Sequence, residues 1–350
     1  MRNLVPGLAG LGVKIDVLRI EGHGPHWDSL PDGVRLISLG TSHVGTALLP
    51  LIRYLRRERP RVLLTDKDRV NRLALWARRL ARVPTRVCIR LGTTVSVNLA
   101  SRPAWDRWVQ TQSMRRFYGW ADRILVPSQG AAVDLARFAG IAEERIHVVA
   151  SPVITPQFQA LAAQEPEHPW FRDNGPPIIL GVGELSARKD FATLIRAFAL
   201  VRQQRPARLV ILGRGKHKER LEALARELGV SEDLALPGFV ANPYAYMKRA
   251  SLFAQSSRYE GFGNVLAEAL AVGTPVVSTD CPSGPREILR DGRYGKLVPV
   301  GDVPALARAL EDALDHPPEP ATLRQAAQRY TVDNSAREYL RALGLDGAGL

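Results

Sequence analysis

Cysteine is almost absent: Cys88 and Cys281 are the only two in 350 residues, far apart and without metal-ligand or CxxC spacing. That excludes a disulfide scaffold and fits two free thiols in a reducing compartment. Long apolar runs are missing as well; none approaches the ~20 residues of a membrane span. No basic stretch leads into an apolar stretch with a small-residue cleavage site, so no signal peptide is expected and the chain is placed in the cytoplasm. The seven histidines show no metal spacing, and His217 between Lys216 and Lys218 reads as surface. Neither a metal nor a cofactor is expected.

Acidic residues are scarce in one half only. Residues 1–160 hold 24 Lys and Arg against 12 Asp and Glu; of the totals of 48 and 35, that leaves 24 against 23 for residues 161–350. The basic charge thus belongs to the N-terminal half. It suits a nucleic acid, an anionic membrane surface or a phosphate-bearing acceptor, or it is the solubilising habit of an Arg-rich proteome. A nucleic-acid partner is favoured by charge alone, since no recognition helix, zinc spacing or RNP-like motif accompanies it; none is expected.

What is present is alternation. Short β-rich runs at Val13–Ile20, Val34–Leu39, Val62–Thr65, Arg86–Ile89, Arg123–Val126 and Ile146–Val149 are separated by helical segments. The pattern restarts with Ile178–Gly181, Arg208–Leu212, Ala235–Gly238, Leu252–Gln255, Pro275–Ser278 and Lys296–Val298. Strands alternating with helices mean parallel sheets covered by helices, with ligands at the strands' carboxyl ends. The expected division is a Rossmann-like domain over 1–155, a proline-rich linker over 156–176, a second Rossmann-like domain over 177–320 and a helical segment over 321–350. That last segment is expected to pack back toward the first domain. Asp190 is expected to cap the helix bearing Leu194, Ile195, Phe198 and Val201, and Gly229 to end the one bearing Leu221, Leu224 and Leu228. At the start, Met1–Leu11 reads as a helix and Val13–Ile20 as the strand after it. A first strand and its loop, central in a Rossmann-like half, are not in the sequence as it begins, and a start downstream of the real one is the expectation.

The densest signal is SRYEGFGNVLAEALAVGTPVVSTD, Ser257–Asp280. Leu252–Gln255 ends in a small-residue loop, Glu260-Gly261-Phe262-Gly263 leads into a helix with Asn264 as its expected cap, and Gly273 closes that helix. Such a loop offers backbone N–H groups and a positive dipole end, which suit a phosphate. Glu260 and Glu268, one before and one inside the helix, could accept hydrogen bonds from sugar hydroxyls. Taken singly, either glutamate reads as a solvated residue near a helix start.

The Glu260–Glu268 spacing, the GTPVV turn and Cys281–Leu289 (CPSGPREIL) closely resemble the retaining glycosyltransferase family 4, the group 1 glycosyl transferases of GT-B fold. The likeness runs back through Pro177–Phe198 (PIILGVGELSARKDFATLIRAF), Leu209–Gly215 (LVILGRG) and Leu236–Val240 (LPGFV), covering essentially the second half. It is weaker in the first, through the opening residues, Tyr54–Leu64 and Trp120–Gly130. The resemblance implies an α/β GT-B architecture, two Rossmann-like domains with parallel sheets facing a central cleft. It also implies transfer of a sugar from a nucleotide-sugar, UDP-linked in most such relatives, to a glycan or lipid-linked acceptor in cell-envelope polysaccharide or glycolipid synthesis. Arg188 and Lys189 match the basic pair that stabilises the departing diphosphate, without a metal. Glu260 matches the glutamate on the donor sugar and Glu268 the one on the ribose. Gly261, Phe262, Gly263 and Asn264, with Val265, match the turn against phosphates and sugar. Gly238, Phe239 and Val240 match the base-binding loop; Gly183 and Gly213 belong to the same donor site.

Three positions depart from that pattern. Glu184 stands where relatives commonly carry Arg. No His follows the strand Arg86–Ile89, which leaves Arg90 and Thr93 as acceptor-side candidates. The loop of the first strand is not there. A weakly active or silent sugar-nucleotide binder is therefore a second reading. Asp66-Lys67-Asp68 is a D-x-D read as a solvated loop, and Gly181-Val182-Gly183 is a partial dinucleotide fingerprint. Arg102–Trp120 joins Trp105, Trp108, Phe117 and Trp120 to four arginines; it reads as an interfacial helix on the inner face of the plasma membrane or as core.

Overall fold

The computed structural model describes residues 1–21, 29–100, 102–173 and 175–346. The chain divides into two units, one of Met1–Pro152 with Val332–Leu350 and one of Val153–Thr331. All strand pairing within the sheets is parallel, as the alternation requires.

In the first unit, β1 (Ile15–Arg19) and β2 (Val34–Ser38) form a two-stranded sheet. A second sheet has the order β3 (Val62–Asp66), β4 (Arg86–Arg90), β5 (Arg123–Val126), β6 (Ile146–Val148). Among the described residues no strand joins β1 to β3. Their side chains nonetheless share two apolar clusters: Ile15 and Leu64 with Leu4, Leu8 and Tyr339, and Leu18 and Leu63 with Leu51, Ile52 and Leu55. The helix Leu4–Gly10 comes before β1.

The second unit holds one six-stranded sheet. Its strands are β7 (Ile178–Val182), β8 (Arg208–Leu212), β9 (Leu234–Gly238), β10 (Leu252–Gln255), β11 (Val276–Thr279) and β12 (Lys296–Val298). Their order is β12-β11-β10-β7-β8-β9. The chain lays β8 and β9 to one side of β7, then returns to place the last three on the other. The order therefore reverses between β7 and β10, the crevice at which ligands of open α/β sheets sit. β7, reading IILGV, is buried over its first four residues because helices cover both faces. The core beneath it includes Leu194, Ile195, Phe198, Leu209, Ile211 and Leu310.

Four expectations from the sequence need adjusting. Residues 156–176, read as a linker, group with the second unit. They carry a short helix, Phe158–Ala162, and the rings of Phe158 and Phe171 pack against Tyr244 (tilted, 4.5 Å) and Tyr246 (edge-on, 5.1 Å); Asn174 lies outside the described residues. The segment 321–350 is not one piece. Pro320–Ala327 belongs to the second unit, whereas Val332–Leu343 belongs to the first, where it packs on Leu4–Gly10. At that crossing a Cβ on Gly7 would lie 2.6 Å from Val332 Cγ1, so the close approach needs glycine; residues 347–350 lie outside the described set. Asp190 adopts a left-handed φ of 46° and does not cap its helix. Its carboxylate accepts instead from Thr193 Oγ1 (3.0 Å) and Arg258 Nε (3.0 Å). The helix Asn264–Val272 begins at Asn264, with Gly263 as the capping position at φ 94°, so the asparagine side chain caps nothing.

Candidate functional site

The loops at the carboxyl ends of the second sheet are stitched together through glycines. Gly183 N donates to Leu212 O (2.9 Å), Leu185 N to Arg214 O (2.9 Å) and Gly213 N to Gly238 O (2.8 Å). The backbones run so close that a Cβ on Gly213 would lie 1.8 Å from Gly183 O, and one on Gly215 2.3 Å from Leu185 O. Side chains are excluded there by contact, not by preference. These bonds bring the ends of β7, β8 and β9 level with each other.

On the other side of the crevice, the loop after β10 folds over the loop after β7. Arg258 N donates to Arg188 O (2.8 Å), and Ser256 Oγ to Lys189 O (2.9 Å). Thr279 Oγ1 donates to Ser257 O (2.6 Å), which ties in the end of β11. The aliphatic stem of Lys189 lies across Gly183, where a Cβ would sit 2.7 Å from Cε. Lys189 Nζ then donates to Glu260 Oε1 at 2.6 Å, Arg188 Nη1 to Oε2 at 2.7 Å, and Ser257 Oγ to Oε1 at 2.7 Å. Lys189 and Glu260 are only 7% and 6% exposed. Burial pushes the Glu260 carboxyl up, but Lys189, Arg188 and Ser257 outweigh it and hold the group below the usual carboxylate range.

An ion cluster with two buried members is a poor way to stabilise a fold, because desolvation offsets most of the attraction. Its position at the point where strand order reverses makes it a functional candidate. One turn further on, Glu268 sits inside the helix Asn264–Val272. Among the described residues its carboxylate makes no hydrogen bond or ion pair, and burial, only partly countered by Lys189, pushes its pKa up to about 7. Tyr244 is its neighbour; burial and then the Glu268 charge push that phenol up to about 12. The helix start carries no acidic residue in its first turn and no side-chain cap, and an N-terminal dipole end of that kind suits an anion. Gly284 locks the preceding turn, since a Cβ there would lie 1.7 Å from Phe262 O.

Most of the residues singled out from the sequence converge here: Gly183, Arg188, Lys189, Glu260, Gly261, Phe262, Gly263, Asn264, Val265 and Glu268 lie on the loops after β7 and β10 and the helix that follows. Phe262 is 5% exposed and its ring packs edge-on against Tyr330 at 5.1 Å, so only its backbone faces outward chemistry. Gly213, Gly238, Phe239 and Val240 gather at the ends of β8 and β9. Phe239 is 64% exposed, with the Arg214 guanidinium 5.7 Å from its ring. Glu184 is exposed on the same loop as the ion trio.

The first-unit candidates have a different setting. Arg90 Nε donates to Tyr339 Oη (2.7 Å) and Nη1 to Asp66 Oδ2 (3.3 Å), which ties the guanidinium to its own unit; Thr93 is exposed. The D-x-D is not a solvated loop. Asp66 ends β3 on Arg90, and Asp68 opens a helix, where it accepts from Tyr118 Oη (2.8 Å) and pairs with Arg72 (2.9 Å). Ser257 and Tyr244 were not singled out from the sequence. The serine three residues before Glu260 was a readable sign of the first; nothing local pointed to the second.

Similarity to known proteins fits this geometry. Residues 164–330 match the glycosyl transferases group 1 model, and residues 1–152 match the glycosyl transferase 4-like domain. A GDP-mannose-dependent alpha-mannosyltransferase of Mycobacterium tuberculosis is 30% identical over 321 residues, 87% of this chain and 77% of that protein. The chain belongs to the group 1 glycosyltransferases. The N-acetylgalactosamine-N,N'-diacetylbacillosaminyl-diphospho-undecaprenol 4-alpha-N-acetylgalactosaminyltransferase of Campylobacter jejuni is 35% identical over 71% of this chain. The match spans 65% of that relative's length. The structure of Anabaena HepE in complex with UDP superposes with a TM-score of 0.72 at 20% identity, over 89% of this chain and 86% of that one. The fold is accordingly GT-B, with two Rossmann-like units of parallel sheet.

Proposed function

We propose that this group 1 glycosyltransferase transfers a sugar, with retention at the anomeric carbon, from a nucleoside diphosphate sugar to a glycan or lipid-linked acceptor. The observation that carries the proposal is the buried Lys189–Glu260 pair, joined by the half-buried Arg188, beside the uncapped helix start at Asn264. An arriving diphosphate brings the negative charge that this start and the two basic side chains attract. The phosphates bind the amides of Gly263–Val265 and draw Arg188 and Lys189 from Glu260, which turns to the sugar hydroxyls. Glu268 accepts from the ribose, and the base lies on Phe239 and Val240 beside Gly238. When the bond from the anomeric carbon to phosphate breaks, its electron pair leaves on the diphosphate. The two cations are worth most at that moment. The acceptor oxygen forms the new bond on the same face and its proton leaves with the departing phosphate. UDP is the nucleotide we favour, because the solved neighbour in complex with UDP shares the fold over most of both chains.

A second reading is a sugar-nucleotide binder without turnover, supported by the engagement of both basic side chains with Glu260 and by Glu184 on the same loop. Incubation with UDP-, GDP- and ADP-sugars, with polyprenyl-diphosphate-linked sugars as acceptors, separates the two. Transfer in which the product keeps the donor's anomeric configuration, read from the anomeric proton signal, supports the proposal. Tight donor binding with no product in any pairing supports the second reading.

A further inference from the structure

The helix Ala104–Phe117 in the first unit has two unlike faces. Gln110 and Met114 are buried, Phe117 packs against Trp76 and Trp120, and Asp106 is held by Arg102 and Gln110. At 3.6 residues per turn the opposite face carries Trp105, Trp108, Gln112, Arg115 and Arg116. Trp105 and Trp108 are 72% and 55% exposed, and their rings stack on each other at 5.2 Å rather than on the core. Arg115 and Arg116 are exposed about two to three turns further along the same face. The aromatic residues of Arg102–Trp120 therefore divide: Phe117 and Trp120 serve the core, Trp105 and Trp108 do not.

We propose that this face docks on an anionic lipid bilayer, with the two indoles at the headgroup level and the arginines on lipid phosphates. Indoles partition to that level because they join a large apolar ring to one N–H donor. The charge argues for lipid over another protein copy: residues 1–160 hold 24 Lys and Arg against 12 Asp and Glu, so a second copy would present the same sign. The helix lies in the interface rather than across it, because no helix among the described residues is long and apolar enough to span. This deepens the lipid-linked acceptor of the proposed function and rests on it for its purpose, but its test does not need turnover.

The full chain is sedimented with vesicles of phosphatidylcholine alone and with phosphatidylglycerol added. Binding is expected only with phosphatidylglycerol, and falling as salt rises. Trp105→Ser with Trp108→Ser should lower the partition coefficient by roughly 10- to 100-fold, and Arg115→Gln with Arg116→Gln by about tenfold. Both variants should keep the wild-type melting temperature and its shift with UDP, which separates failure here from failure of the donor site. No binding to phosphatidylglycerol vesicles overturns the proposal, as does undiminished binding by the tryptophan variant. A dimer in solution that the tryptophan variant abolishes, without vesicle binding, assigns the face to self-association instead.

Discussion

The two units use the same alternation of strand and helix and end in different states. In the second, β7 lies between β10 and β8, is buried over four of its five residues, and delivers its loop to the ion trio. In the first, β1 and β3 share apolar clusters but pair only with β2 and β4 among the described residues, and most of their residues are half-buried. A central strand is what turns two flanking loops into one site. It holds the backbone amides and the basic pair at fixed height, so the proposed donor site is built from one unit's own residues. The first-unit candidate Arg90, tied to Asp66 and Tyr339, shows no such convergence.

The comparison can be broken in several places. Gly213→Ala attacks the stitching directly: the new methyl would meet Gly183 O at 1.8 Å, at a φ of 143°. The expected cost exceeds ~4 kcal/mol, read as loss of soluble folded protein or a sharply lower melting temperature. A variant melting like the wild type would show that the loops of β7 and β8 are not held as described. Leu180→Ala in β7 should cost ~3–4 kcal/mol in urea unfolding, against ~1–2 kcal/mol for Leu64→Ala in the half-buried β3. Equal costs would remove the contrast between the two sheets.

Within the site, Lys189→Ala should lower kcat by about a hundredfold, with a smaller change in nucleotide affinity. The reverse proportion would make Lys189 a binding group only. Lys189→Ala also leaves Glu260 with Arg188 and Ser257, so a modest fall in stability should accompany it. The smallest effect belongs to Glu268. Its folded-state pKa of about 7 lies above the ordinary carboxylate value, so the unfolded chain ionises first and stability falls as pH rises from about 4.5 toward 7. Nucleotide affinity should move the opposite way, rising through about pH 7, because the ionised carboxylate is the better acceptor for ribose hydroxyls. Glu268→Gln should flatten both profiles and weaken UDP by ~1 kcal/mol. An unchanged pH profile in that variant would detach Glu268 from the ribose.

Much of this was legible in the residues, and the misses have physical reasons. Apolar runs such as Ile178–Gly181 locate every strand among the described residues to within two residues at each end, because buried parallel strands admit little else. Sheet order was not legible, since it depends on which side of β7 each crossover returns to. The likeness of Glu260–Glu268 drew the loop residues together, but not the pairing of Glu260 with Lys189. The partners are 71 positions apart and meet only because β7 and β10 are neighbours. Asp190 and Asn264 looked like caps because composition alone cannot show that a left-handed Asp190, or the glycine before Asn264, already makes the turn. The split of the final helices at Thr331 was invisible for a similar reason: both halves are amphipathic, and only the surroundings decide which core each one meets.

The most direct test of the donor site is the shift in melting temperature with UDP, set against GDP and ADP, for the wild type and Glu268→Gln. At ~100 times the dissociation constant a nucleotide stabilises its folded partner by ~2.7 kcal/mol, a shift of a few degrees for a unit of this size. The account predicts that shift with UDP, little with ADP, and a smaller one in Glu268→Gln at equal concentration. No shift with any nucleotide, or an undiminished one in Glu268→Gln, would contradict a donor site at the junction of β7 and β10.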